Sequence, residues 1–147
     1  MDRVFLDANI LFYAAYKSKA GVLRLWAMED VRLLTSESAA IEARRNLDTD
    51  EQRGRLDRLL GGVAIPRVAF VRPLPRAVAL AAKDRPILRA AIAMKATHLL
   101  TGDRKHFGAL YGRTVRGVLI LPPSDYPPLL DDRGIGGLTR PPRPSPP

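Results

Sequence analysis

The stretch "DRPILRAAIAMKATHLLTGD", residues 84–103, decides the fold. Asp84-Arg85-Pro86 has the form of a helix start, with an acid at the N-cap position and proline in the first turn. From there Ile87, Leu88, Ala91, Ile92 and Met94 make a helix to about Ala96 that is apolar on most sides, so it is largely buried. Thr97–Asp103 follows as a strand that ends on a glycine and an acid. A buried helix that runs directly into a strand fits a βαβ-like layout.

The same ending occurs near the N-terminus. In "VFLDANILFYAAY" (Val4–Tyr16) a short apolar strand, Arg3–Leu6, runs into Asp7, and a helix follows from about Asn9. Further helices are expected over about 20–30, 37–47 and 51–60, the last stopping at Gly61-Gly62. Val31–Ser36 is a strand that ends in a capping serine. Val63–Arg72 is β-branched but interrupted by proline, as at a sheet edge. A short helix is expected after Pro75, to about Lys83. Arg104–Leu110 is a short helix and Thr114–Leu121 the final strand. Strands alternating with helices predict an α/β fold: a mainly parallel sheet with helices on both faces.

Composition bounds the rest. A chain of 147 residues, 46% hydrophobic and 27% charged, suits one domain with its own core. There is no cysteine, which excludes disulfides, thiolate metal sites and a cysteine nucleophile. No apolar run is long enough for a membrane helix, and the strand beginning just after Asp2 leaves no room for a signal peptide. A cytoplasmic protein with no membrane partner is expected. The net charge is +9. It belongs to residues 1–121, because residues 122–147 balance three arginines against three acids. Nine of the 13 prolines also lie in 122–147, which is expected to be a flexible tail outside a folded domain of residues 1–121. A basic surface attracts polyanions, though an arginine-rich composition alone explains it equally well.

Ligands of open parallel sheets bind beyond the carboxyl ends of the strands. If the strands that end in Asp7 and Asp103 are neighbours, the two carboxylates converge there. Close carboxylates raise each other's pKa unless a cation lies between them, and all-oxygen clusters suit magnesium or manganese. Taken singly, either acid is an ordinary helix N-cap. Asp84 is a third candidate, with the same N-cap alternative. Glu42 is the fourth. It lies beside the apolar stripe of Ala39, Ala43 and Leu47, where it can turn toward a cleft or remain a solvated surface residue.

With these acids in view, "VFLDANILFYAA", "SESAAIEARRNL" and "KDRPILRAAIAMKATHLLTGDRKHFG" resemble the acidic motifs of the PIN-domain nucleases, most closely the bacterial VapC-type toxins and their relatives. The resemblance covers about residues 2–121. It implies a three-layer α/β/α sandwich and an acidic cluster that binds Mg2+ or Mn2+ and cuts RNA. Carried across, the catalytic acids are Asp7, Glu42, Asp84 and Asp103, with Asp7, Asp84 and Asp103 holding metal. Thr101 matches the small hydroxyl residue that orients the site, and Asn9 is placed to hold the first acid or a metal-bound water. Arg44, Arg45, Arg85, Arg104 and Lys105 lie near the acids in sequence and are candidates to hold the RNA backbone, or are simply solvated surface. One departure stands out. Some relatives carry another acid soon after the "TGD" aspartate, whereas Arg104, Lys105 and His106 follow here. As a lone histidine, His106 reads as a non-ligand.

A toxin role would imply a homodimer and a small antitoxin over the cleft. The aromatic residues Phe12, Tyr13, Tyr16 and Trp26 serve either a dimer surface or the core. Alternatives are a PIN nuclease of RNA processing or DNA repair, or a degenerate module that binds RNA or protein without cutting. An aspartyl-phosphate phosphatase ranks low, because it needs an acid where Asn9 stands and a second acid after "GD".

Overall fold

Backbone pairing in the computed structural model, which describes residues 1–69 and 71–130, builds one five-stranded sheet in the order β2-β1-β3-β5-β4. The strands are β1 (Asp2–Leu6), β2 (Val31–Leu34), β3 (His98–Leu100), β4 (Thr114–Val115) and β5 (Val118–Leu121). β1 pairs in parallel with both β2 and β3, and β3 in parallel with β5. Only β4 is antiparallel, as the outer half of a hairpin with β5. Arg116 and Gly117, both at positive φ, form the two-residue turn that this hairpin requires. The single final strand expected over Thr114–Leu121 is therefore folded back on itself.

Two cores sandwich the sheet. On one face Val4, Leu6, Leu33, Leu100 and Leu121 pack against α1 (Ala8–Tyr16), α2 (Glu37–Asn46) and α3 (Asp50–Leu60). On the other, Phe5, Leu34, Leu99 and Ile120 meet Leu88 and Ala91 of α4 (Arg85–Ala93) and Phe107 of α5 (Arg104–Phe107). The alternation of side chains along each strand supplies both faces. Phe12 and Tyr13 are buried in the first core, and Tyr16 and Trp26 pack against it. Local chemistry sets the helix ends. Thr49 and Gln52 form a reciprocal capping box at α3. The Arg55 guanidinium donates to the carbonyls of Ala15 and Tyr16 at the end of α1. No described helix is long and apolar enough to cross a membrane.

The structure departs from the sequence expectations in four further places. Residues 20–30 hold a 3-10 helix, Gly21–Ala27, rather than an α-helix. Among its described residues, the expected strand Val63–Arg72 contributes a single bridge, Ala64 to Leu34. Pro66 has no N–H to extend that pairing. No helix forms between Pro75 and Lys83. There, arginines of α4 hold the loop, with Arg85 donating to the carbonyls of Val78 and Leu80 and Arg89 to those of Val71 and Arg72.

Finally, the proline-rich segment expected to leave the domain at residue 121 packs onto it as far as residue 130. Two 3-10 turns, Pro123–Asp125 and Pro127–Leu129, bring Tyr126 and Leu129 into full burial. Proline suits the first position of such turns, so its abundance does not prevent packing. The rest of the expected tail, residues 131–147, lies outside the described residues.

Candidate metal centre

β1 and β3 are neighbours, so the turns that follow them leave the sheet side by side. The Asp7 N–H still donates to the Leu100 carbonyl (3.1 Å), and the Thr101 N–H to that of Leu121 (3.1 Å). Asp7 and Thr101 are thus fixed by the sheet ladder just before the chain turns into α1 and α5.

Asp7 is buried and heavily hydrogen-bonded. One carboxylate oxygen accepts from the Ala8 N–H (2.7 Å), and the other from the Thr101 hydroxyl (2.8 Å) and the Asn9 amide (3.1 Å). Burial nevertheless pushes its pKa up to about 6, against the pull of these bonds and with the help of the negative charges of Glu42 and Asp103. Glu42 is exposed on α2, and its negative charge is felt at Asp7.

Thr101 is fully buried and joins the two acids. Its hydroxyl donates to Asp7 and accepts from the Asn9 amide (3.2 Å) and the Asp103 N–H (3.1 Å). Asn9 closes the loop by accepting from the Gly102 N–H (2.7 Å). Gly102 is needed for close approach, since a Cβ there would lie 3.0 Å from the Tyr13 ring. From the other side the Tyr111 hydroxyl donates to the Thr101 carbonyl (2.7 Å), and burial pushes that phenol's pKa up to about 12. Tyr111, Tyr13 and Gly102 are supports that the sequence reading leaves out. Only the glycine of "TGD" carries a local signal.

The third acid arrives from α4. Asp84 occupies the N-cap position, but its side chain makes no capping bond. The carboxylate turns toward Asp103, and its buried Oδ2 has no hydrogen-bond partner. Asp103 does cap its helix, accepting from the His106 N–H through Oδ1 (3.1 Å), while Oδ2 lies 2.5 Å from the His106 ring Nδ1. The same nitrogen is 4.0 Å from Asp84 Oδ2. Asp84, Asp103 and His106 each offer a ligand atom within 4.8 Å of the others. Asp7 and Glu42 fall outside that group. His106, read from sequence as a non-ligand, is inside it. The signal was its spacing, since residue i+3 of a helix returns to the face of residue i.

A buried carboxylate oxygen without a donor is unfavourable unless a cation meets it. The orphaned Asp84 oxygen, facing a second carboxylate and an imidazole, fits a divalent metal ion. Of the five basic residues near the acids, Arg44, Arg45, Arg104 and Lys105 are exposed. Arg44 is engaged with Asp57 and Arg85 with the 78–80 loop, which gives both a structural task.

Comparisons with known proteins bear on the family and the fold. A family model described as PIN domain matches residues 3–105. A solved structure of VapBC2 from Rickettsia felis, bound to a DNA fragment from their promoter, aligns with a TM-score of 0.56 at 17% identity. The alignment covers 82% of this chain and 98% of that one, a likeness of fold. No curated protein matches the chain.

Proposed function

Because the chain belongs to the PIN-domain family, we propose that it is a divalent-metal-dependent endoribonuclease, with Asp7, Glu42, Asp84 and Asp103 as its catalytic acids. The observation that carries this reading is the unpartnered, buried Asp84 oxygen turned toward Asp103 at the carboxyl edge of the sheet. Asp84 and Asp103 hold Mg2+ or Mn2+, and Asp7 completes the metal-binding face. A divalent ion bound there would neutralise charge on the scissile phosphate and lower the pKa of a bound water.

The chain's own residues do the positioning. Thr101 and Asn9 lock Asp7 in one orientation through the bonds described above. Burial raises the pKa of Asp7, and a cation beside it would favour its ionised form. Glu42 adds negative charge at the open rim. Arg45, Arg104 and Lys105 are exposed close by in sequence and suit the phosphates of a bound strand. A basic protein with a local acidic centre gathers RNA over its surface and cuts it at one point.

The biological role follows the family resemblance. The protein acts as the toxin of a toxin–antitoxin pair, forms a homodimer, and is covered at its acidic cleft by a small antitoxin. The fold likeness to a VapBC complex supports a partner of that kind. Purified protein is expected to cleave structured RNA with Mg2+ or Mn2+ and to stop in EDTA. Cleavage that persists in EDTA would sink the metal mechanism. Growth arrest on expression, relieved by a neighbouring gene product, distinguishes a toxin from a processing nuclease.

A further inference from the structure

An imidazole stands among the carboxylates of this centre. We propose that His106 is itself a metal ligand, beside Asp84 and Asp103, and that it shifts the centre's preference from Mg2+ toward first-row transition ions, with Mn2+ as the probe. The inference rests on the metal-centre reading above and assigns one more donor to it.

The placement is built rather than incidental. α5 is a single turn, and Asp103 Oδ1 fixes its start by accepting from the His106 N–H. Phe107, the next residue, is buried in the second core and anchors the turn. With both ends held, the His106 ring returns to the carboxylate that caps it, where Nδ1 is hydrogen-bonded to Asp103 Oδ2 and lies 4.0 Å from the orphaned Asp84 oxygen, so that a cation entering the cluster would take the place of that hydrogen bond. Three donor atoms from three side chains therefore lie within 4.8 Å of one another.

Donor chemistry then sets the preference. Mg2+ favours oxygen ligands in near-ideal octahedral geometry and keeps several waters. Imidazole nitrogen binds first-row transition ions better, with affinity rising from Mn2+ along the series. Replacing one carboxylate of an oxygen cluster by imidazole also lowers the negative charge available to Mg2+.

The test uses the full chain stripped with EDTA. Calorimetry measures Mn2+ and Mg2+ affinity for wild type, His106→Ala, His106→Asp and Asp103→Asn. Pulsed electron paramagnetic resonance of the Mn2+ form reports any directly bound nitrogen. Wild type is expected to show bound nitrogen, and both His106 variants to lose it. His106→Ala should weaken Mn2+ about tenfold and Mg2+ less. His106→Asp should move the preference toward Mg2+. Mn2+ bound without nitrogen, or equal losses of both ions in His106→Ala, overturns the ligand role and leaves the centre standing. Failure of wild type to bind either ion, or wild-type binding by Asp103→Asn, overturns the centre and this inference together.

Discussion

The two ends of the sheet are both polar, and they are built on opposite terms. At the amino edge every group named here is answered. The Thr97 hydroxyl accepts from the Arg3 N–H (2.9 Å), and the Arg3 guanidinium donates to the carbonyls of Met94 and Lys95. Tyr126 donates to Asp2 (2.6 Å) and meets His98 edge to face. At the carboxyl edge Asp84 and Asp103 lie close together and Thr101 joins Asp103 to Asp7; Asp7 has a raised pKa, and Asp84 has a buried oxygen left without a donor. Polar satisfaction is what folding alone selects, so the unsatisfied edge is the one shaped for a ligand.

The strongest way to break this contrast is Asp103→Asn. Asparagine caps a helix about as well as aspartate, so thermal stability should hold within about 1 kcal/mol. Metal-dependent RNA cleavage should fall by about a thousandfold, the upper range for removing one charge-stabilising group. Chemical denaturation beside a cleavage assay checks both. A variant that unfolds, or one that cuts normally, would show the acid to be structural after all.

Thr101→Val sharpens the contrast, because Thr101 belongs to both worlds. It ends a core strand, and its hydroxyl joins Asp7, Asn9 and Asp103. Losing the hydroxyl leaves the Asp103 N–H without its acceptor, at a cost of about 1–3 kcal/mol in stability. Cleavage should fall tenfold to a hundredfold, roughly the usual cost of removing an outer-shell partner, and Thr101→Ser should restore most of it.

Which parts were legible beforehand follows from the same division. Leu6-Asp7 and Leu100-Thr101-Gly102-Asp103 announce parallel strands with acids beyond their ends, because apolar runs and their punctuation are local signals. The parallel sheet and both buried faces were readable in that way, whereas the adjacency of β1 and β3 was only a condition, which the strand order meets. Four features were not readable. Pro66 halts the expected edge strand, and the arginines of α4 hold the 71–80 loop through side-chain bonds that leave no periodic trace. Residues 122–130 look like tail by composition, yet Tyr126 packs against residues more than 100 positions earlier. His106 was hidden because its partners come from two elements, and only the turn of α5 brings it back to Asp103.

Asp7 offers a smaller test, through pH. Its folded pKa, pushed up to about 6 by burial, lies above its ordinary value. An acid shifted that way destabilises the fold when ionised. The cost is fully present above the folded pKa and disappears below the unfolded one. In metal-free protein, therefore, wild type should gain on Asp7→Asn by about 2 kcal/mol as pH falls from 7 to 4.5. Urea melts of both proteins in EDTA measure the difference. Parallel pH profiles would mean that Asp7 is not a strained carboxylate, and the contrast between the edges would lose one of its two supports.

Tyr126→Phe probes the satisfied edge and should have the least effect. The ring is fully buried, and phenylalanine keeps its apolar volume and its contact with His98. What is lost is one hydrogen bond, to the half-exposed Asp2 carboxylate, which water can partly replace. Stability should fall by about 1 kcal/mol. Metal affinity and cleavage should not change, because this hydroxyl lies at the opposite end of β1 from Asp7. Denaturation and calorimetry on the same preparation settle it. A loss of metal binding without a loss of stability would mean that the two edges communicate through β1 and β3, and the division drawn between them would have to be abandoned. An unchanged centre in a slightly weaker fold confines the amino edge to holding residues 122–130 on the sheet.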